Sequence, residues 1–313
     1  MSGSKDRPRW HELPMRAREQ IEYLVGDRVV DAQNCPGGYS PGFASRLILA
    51  GGRTAFAKAV DAKMWPEQAP MYRDEAHIAI GLTAAGLADV LPTPRFLGSC
   101  DDGSYVVLAF ECVEGSEPVS PWRLDQLAEV AAAVGRMSGL LTPSPIAVPC
   151  VHPRLGGWAS ISTEHLESPC AGAAAPHVDD LVALECRGLV AAHGTALVHF
   201  DALPHNILHS PTGVMLVDWP HARLGAPIID LLTVLASGAA DGIDPEPILA
   251  AQPVSATADA ADIDAILAAL SGFSLAGAVD ITCPAPIAAA KMKFGRGALG
   301  WLLRRLGITS TAS

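Results

Sequence analysis

Lys58 stands in the run Thr54-Ala55-Phe56-Ala57-Lys58-Ala59-Val60, whose β-like alternation puts its ammonium on the same face as Phe56 and Val60. That face reads as the buried one. A buried ammonium needs a partner, whereas a lysine at a sheet edge would reach water along its apolar stem. Only five of the 22 basic residues are lysines, so one inside an apolar segment is conspicuous. Glu75 is the candidate partner. In the helical stretch after Pro66 it is in register with Ile78, Ala79 and Leu82, the stripe that should face the core, while Arg73 and Asp74 fall elsewhere. A glutamate there either lies at the helix border or pairs with an inward cation. Paired, the two would hold Lys58 ready for an anionic ligand.

A second group lies in His199-Phe200-Asp201-Ala202-Leu203-Pro204-His205-Asn206, a non-periodic segment between apolar runs. Seventeen residues after Asp201, Asp218 closes the run Val214-Met215-Leu216-Val217 and precedes Trp219-Pro220. Asn206 and Asp218 flank a hairpin around Pro211-Thr212-Gly213, so their oxygens can face each other. One carboxylate and one amide oxygen, completed by water, suit Mg²⁺, a hard cation that needs few protein ligands. Asp201, held nearby but not consumed as a ligand, could accept a proton from an attacking hydroxyl. Each residue taken singly is also a common turn former.

The elements that must position these groups fall into two stretches. Residues 28–33, 45–50, 54–60, 94–98 and 104–110 read as strands, with a helix from Pro66 to about Gly86 inserted after the third. Gly51-Gly52-Arg53 and Asp101-Asp102-Gly103 supply the hairpin turns. From Ser120, a plausible N-cap with Pro121 at the first helical position, the pattern becomes mainly helical. Residues 143–175 are rich in Pro, Gly, Ser and Ala and read as long surface loops. A helix at about 179–193 and further helices over 230–306 follow.

Composition bounds the rest. In 313 residues, 22 Lys and Arg stand against 33 Asp and Glu, a formal charge of -11, and only 18% of residues are charged while 50% are hydrophobic. Such a chain can build a large core but lacks the clustered cations of a nucleic-acid binder. No apolar run is expected to span a membrane and the N-terminal residues form no apolar signal, so a cytoplasmic chain without membrane or nucleic-acid partners is the expectation. Seven scattered cysteines without a C-x-x-C spacing read as reduced thiols.

The joint order of inward Lys, inward helical Glu, H-x-D-x4-N and a strand-closing Asp resembles the aminoglycoside phosphotransferase family within the protein-kinase-like fold. Its motifs stand here as His199-Phe200-Asp201 to Asn206 and Asp218-Trp219-Pro220, and the likeness spans about residues 28–240. The resemblance implies an α+β, two-lobed protein-kinase-like fold: an N-terminal lobe (1–110) with a five-stranded antiparallel sheet and one helix, a hinge (111–117), and a larger, mainly helical C-terminal lobe (118–313). It also implies roles. Lys58 would bind nucleotide phosphates and Glu75 would position it. Asp201 would be the catalytic base, Asn206 and Asp218 would hold Mg²⁺, and His199 and Asp230 would brace the loop. The Glu111 carbonyl and the backbone of Val113, in Val106 to Gly115, would pair with the base of ATP or GTP.

The chain departs from the family pattern twice. Gly37-Gly38-Tyr39-Ser40-Pro41-Gly42 is not a G-x-G-x-x-G, although Gly38, Ser40 and Gly42 remain candidates to cradle phosphate, and Phe200 replaces the Gly common between His and Asp. The implied activity is transfer of a nucleotide phosphate to a small-molecule hydroxyl, in an antibiotic of aminoglycoside or nucleoside type, or else in a metabolite such as choline, homoserine or a sugar. Asp179, Asp180, Glu185, Asp241, Asp244 and Glu246 would favour a cationic acceptor or form a solvated face. The competing readings are a metal-dependent hydrolase on His199, His205, His209, Asp201 and Asp218, which leaves Lys58, Glu75 and Asn206 without roles, and an inactive nucleotide-binding regulator.

Overall fold

The structure is a computed structural model that describes residues 7–35, 41–150, 155–161 and 174–308. The chain divides into two compact units, Met1–Glu117 with His205–Ala222, and Pro118–Pro204 with Arg223–Ser313.

The first unit is built on an antiparallel sheet of five strands, β1 (Val29–Asn34), β2 (Phe43–Leu49), β3 (Thr54–Asp61), β4 (Phe96–Asp101) and β5 (Tyr105–Glu111), in spatial order β1-β2-β3-β5-β4. The five strands, with one helix after the third, follow one another along the chain as the alternation in the sequence suggested; their spatial order is set by the structure alone. Two helices cover the sheet. The expected one, α2 (Ala69–Ala84), packs Tyr72 and Ala76 against Val60, Val106, Leu108 and Phe110. The other, α1 (Met15–Val25), was not expected. It lays Ala17, Ile21 and Val25, spaced by four, against Phe43, Leu47, Ala55, Ala57, Ala59, Val107 and Ala109. The small alanines of β3 let α1 approach closely, so their face, and not that of Lys58, is the more deeply buried side of the strand. Ile21 is fully buried, and its truncation to Ala would cost about 2–5 kcal/mol.

The first unit also holds the hairpin β7 (Ile207–Ser210) and β8 (Gly213–Leu216). Ser116 and His209 exchange backbone hydrogen bonds of 3.0 and 2.8 Å, and the Leu216 N–H donates to the Pro92 carbonyl at 2.6 Å. These bonds tie the hairpin to the segments that precede β4 and follow β5.

The second unit comprises α3 (Leu124–Leu140), α4 (Val178–Ala191), the strand pair β6 (Ala196–Val198) and β9 (Arg223–Gly225), α5 (Ile229–Ala239), α6 (Glu246–Ala250), α7 (Ala260–Val279) and α8 (Ala285–Arg305). The expected start of α3 at Pro121 is corrected to Leu124. The preceding residues are held by tertiary bonds: Asp241 accepts the Trp122 N–H at 2.8 Å, and the Trp122 indole donates to Ser237 Oγ at 3.0 Å. A second correction concerns α7, which is long and apolar enough to cross a membrane, contrary to the reading that no run reaches that length. It packs against α4 and α8 with 61% of its apolar window buried, so its composition is that of a core helix. Among the described cysteines, 35, 100, 112, 150, 186 and 283 are free thiols.

Candidate active site

Within the first unit, β3 presents Lys58 between Ala44 of β2 and Leu108 of β5, on the face that α2 covers. Glu75 projects from α2 with only 4% of its side chain exposed, and Lys58 Nζ lies 2.5 Å from Glu75 Oε2. The same ammonium donates to Asp218 Oδ1 at 2.8 Å and stands 5.9 Å from the centroid of the Phe110 ring. One cation therefore serves two carboxylates. Burial opposes the charge on Lys58, but Asp218 and Glu75 outweigh it and raise the ammonium above the ordinary lysine range. Burial pushes the Glu75 carboxyl up to about 7, because the Lys58 charge is shared with Asp218, which itself repels Glu75. The Trp219 N–H also donates to Glu75, linking α2 to the chain just after Asp218.

Asp218 follows β8 in a left-handed conformation, φ 67°, uncommon for a residue with a Cβ. Asn206 immediately precedes β7 and is buried; its carbonyl accepts the Val217 N–H at 2.9 Å. The hairpin thus sets the two chain positions that precede and follow it side by side. An amide and a carboxylate that is 47% exposed make a hard-oxygen pair with room for water, which fits a divalent cation held by few protein ligands. Among the described residues no group of three or more His, Cys, Asp and Glu side chains is placed to hold a metal ion.

Asp201 belongs to the second unit, in the segment that leaves β6, and is buried. Its N–H donates to His199 Nδ1 at 3.2 Å, which makes that nitrogen the acceptor and assigns the proton of a neutral ring to Nε2. Asp230, in the first turn of α5, accepts the His199 N–H on Oδ2 at 2.8 Å and the Phe200 N–H on Oδ1 at 2.9 Å. Burial pushes the Asp230 carboxyl up, against the neighbouring His199 and Phe200 N–H donors. Phe200 adopts φ 61°, the left-handed region that favours glycine, at a cost of about 1–3 kcal/mol for a residue with a side chain. Its ring rests on Gly225 of β9, where a Cβ would come within 3.0 Å of Phe200 Cζ. Packing and the Asp230 hydrogen bond offset the strain. Phe200 and Asp218 are the two non-glycine residues with positive φ among those described.

Glu111 ends β5, where its N–H donates to the Arg95 carbonyl at 2.8 Å, and Val113 lies two residues further in an extended segment. Gly42 immediately precedes β2, while Gly38 and Ser40 fall outside the described residues. Three of the acidic residues considered for acceptor attraction have structural partners instead. Glu185 accepts the Gly157 and Trp158 N–H groups at 2.7 and 2.9 Å, Asp241 pairs with Lys293 at 2.6 Å, and Glu246 accepts from Trp301 and Arg305.

The family model described as "Phosphotransferase enzyme family" (APH) matches residues 46–253, about two thirds of the chain and the whole span from β2 through both groups of site residues. The chain belongs to this phosphotransferase family. Solved structures place its fold among the kinase-like ones. A choline/ethanolamine kinase family protein from Mesorhizobium loti aligns at TM-score 0.56 and 15% identity, over 95% of this chain and 94% of that one. An aminoglycoside phosphotransferase from Alicyclobacillus acidocaldarius aligns at 0.53 and 15% identity, over 91% and 95%. The amicoumacin kinase hAmiN, solved with AMP-PNP, Ca²⁺ and its antibiotic, aligns at 0.51 and 12% identity, over 85% and 87%. No curated protein sequence matches the chain. The α+β, kinase-like fold expected from the motifs is therefore the fold of this phosphotransferase.

Proposed function

We propose that this phosphotransferase moves the γ-phosphoryl group of ATP or GTP to a hydroxyl of a small molecule, with Mg²⁺ as the metal. The observation that carries the reading is the Lys58 ammonium held by Glu75 and Asp218 in the first unit. The two carboxylates fix the ammonium in place, where a phosphate could take over one of the contacts as a ligand binds. Lys58 takes the α- and β-phosphates, and Glu75 keeps it from swinging away. The Glu111 carbonyl and the Val113 backbone take the base, and Gly42, Gly38 and Ser40 lie along the phosphates. Asn206 and Asp218 hold the metal, which neutralises charge on the phosphates when bound. Asp201 orients the acceptor hydroxyl and receives its proton, and Asp230 and His199 hold that loop in place. Positioning and charge neutralisation supply most of the rate, since phosphoryl transfer demands little covalent help.

For the acceptor we assign an antibiotic of aminoglycoside or nucleoside type, whose phosphorylation would confer resistance, as the family resemblance favours. A choline-, homoserine- or sugar-like metabolite is the second reading, supported by the choline/ethanolamine kinase likeness. The protein would act in the cytoplasm, where nucleotide is available. The test is nucleotide consumption against a panel of antibiotics, amino alcohols and sugars, with mass spectrometry of the acceptor. Acceptor-dependent turnover with a phosphate-sized mass gain is expected. Nucleotide binding without turnover on any acceptor would instead support the regulator reading.

A further inference from the structure

Gly42 is packed too tightly for any other residue, and its backbone φ is not the cause. A Cβ at this position would collide with the Tyr72 hydroxyl, would meet the Ala59 carbonyl oxygen at 2.5 Å, and would approach Tyr72 Cζ to 3.2 Å. Real Cβ atoms do not come this close to a backbone oxygen, and Tyr72 is itself only 5% exposed within the cluster of Val60, Ala76, Val106, Leu108 and Phe110, so it has little room to yield. The two neighbours of Gly42 are informative. Ala59 directly follows Lys58 on β3, and its register partner Phe43 directly follows Gly42. Tyr72 lies one helical turn before Glu75 on α2, on the same face. Gly42 therefore sits at a three-way contact of the start of β2, the strand that carries Lys58 and the helix that carries Glu75.

We infer that Tyr72 is a positioning residue for the Lys58–Glu75 pair, seated in the socket that Gly42 leaves open. A displacement of α2 toward the Gly42 end of β2 would drive the Tyr72 ring into the Gly42 backbone or the Ala59 carbonyl, so the contact limits how far the helix that carries Glu75 can shift that way relative to Lys58. The close contact thus sets the depth at which the helix sits, and with it the place of the ammonium. The inference rests on the proposed nucleotide site, in which Lys58 meets phosphate. It assigns Tyr72 an effect on phosphate recognition and none on recognition of the base.

The experiment compares binding of Mg-ATP and of adenosine by calorimetry to wild type, Gly42→Ala, Tyr72→Leu, Tyr72→Phe and the double variant Gly42→Ala/Tyr72→Phe, with thermal melts of each. Gly42→Ala and Tyr72→Leu are expected to weaken ATP at least about tenfold while adenosine affinity stays at the wild-type level, because a misplaced cation affects only phosphate. Tyr72→Phe keeps the ring and should lie near wild type; in the double variant, loss of the hydroxyl removes one collision and should restore part of the ATP affinity. Equal weakening of ATP and adenosine, or unchanged ATP affinity in variants that still melt cooperatively, overturns the positioning role. If Gly42→Ala does not fold, Tyr72→Leu against Tyr72→Phe decides by the same ratio. Wild-type protein that binds neither ligand would remove the nucleotide site itself, and the inference with it.

Discussion

The two groups of site residues are held by different physics. In the first unit, Lys58, Glu75 and Asp218 are placed chiefly by one another's charges, with one ammonium between two carboxylates and the Trp219 N–H also on Glu75. In the second, Asp201 is placed by backbone: Asp230 accepts two consecutive N–H groups, His199 Nδ1 accepts a third, and Phe200 is locked at φ 61°. Charge contacts can be exchanged for those of a ligand without moving the main chain. Backbone contacts cannot, so they suit a group that must be in place before the reaction. Under the proposed function, the difference would separate a site that adapts to phosphate and metal from one that keeps a proton acceptor still.

The comparison is most strongly tested by removing the still group. Asp201→Ala should lower kcat by at least about a hundredfold and leave nucleotide affinity at the wild-type level. Comparable losses in both would mean that the two groups do not divide the work. Next in size, Lys58→Ala should raise nucleotide KM by about tenfold or more, and should also lower the melting temperature, because it leaves Glu75 buried without its cation, a break that costs about 3–5 kcal/mol. Unchanged KM and kcat in a stable variant would count against the ion pair as part of the phosphate site.

Much of this division was legible in the chain. Lys58 and Glu75 stand out because charged residues interrupt apolar periodicities, and Asp201, Asn206 and Asp218 because of their spacing. Other features were hidden for physical reasons. Helix α1 was not hidden in this way: Ala17, Ile21 and Val25 form an apolar stripe on an otherwise polar segment, a helical signal that the sequence carried and that went unread. The α3 start was misplaced because Ser120-Pro121 has good local N-terminal chemistry while Asp241 and Ser237 hold Trp122 outside the helix. The Lys58 face of β3 is covered by α2 as expected, but the burial of the opposite face under α1 went unread because alanines look neutral in a pattern yet permit the closest helix packing. Phe200 stands out in sequence only as a departure from glycine. The left-handed φ that makes the position suit glycine is invisible in sequence, although the small Gly225 beneath its ring is the trace it leaves.

Smaller effects sharpen the same contrast. Asp230→Asn retains one carbonyl acceptor for two backbone donors and should cost about 1–3 kcal/mol of stability, with kcat falling more than nucleotide affinity. Equal effects on both would make Asp230 a general fold residue. The smallest expected signal is the pH dependence of stability from Glu75. Its folded pKa of about 7 lies above the ordinary value of 4.5, so between these values the folded, ligand-free chain binds more protons than the unfolded one. Stability should therefore decline as pH rises from about 4.5 to 7, and Glu75→Gln should flatten that slope in denaturant titrations at several pH values. A rising slope attributable to Glu75 would show the pair to be held as a fully satisfied salt bridge.

The most direct test of the account is transfer from γ-labelled ATP to a panel of hydroxyl-bearing antibiotics and metabolites, run in parallel with wild type and Asp201→Asn. Wild type should label at least one acceptor, and the variant should bind nucleotide as tightly but transfer at least about a hundredfold more slowly. Transfer by Asp201→Asn at the wild-type rate would contradict it.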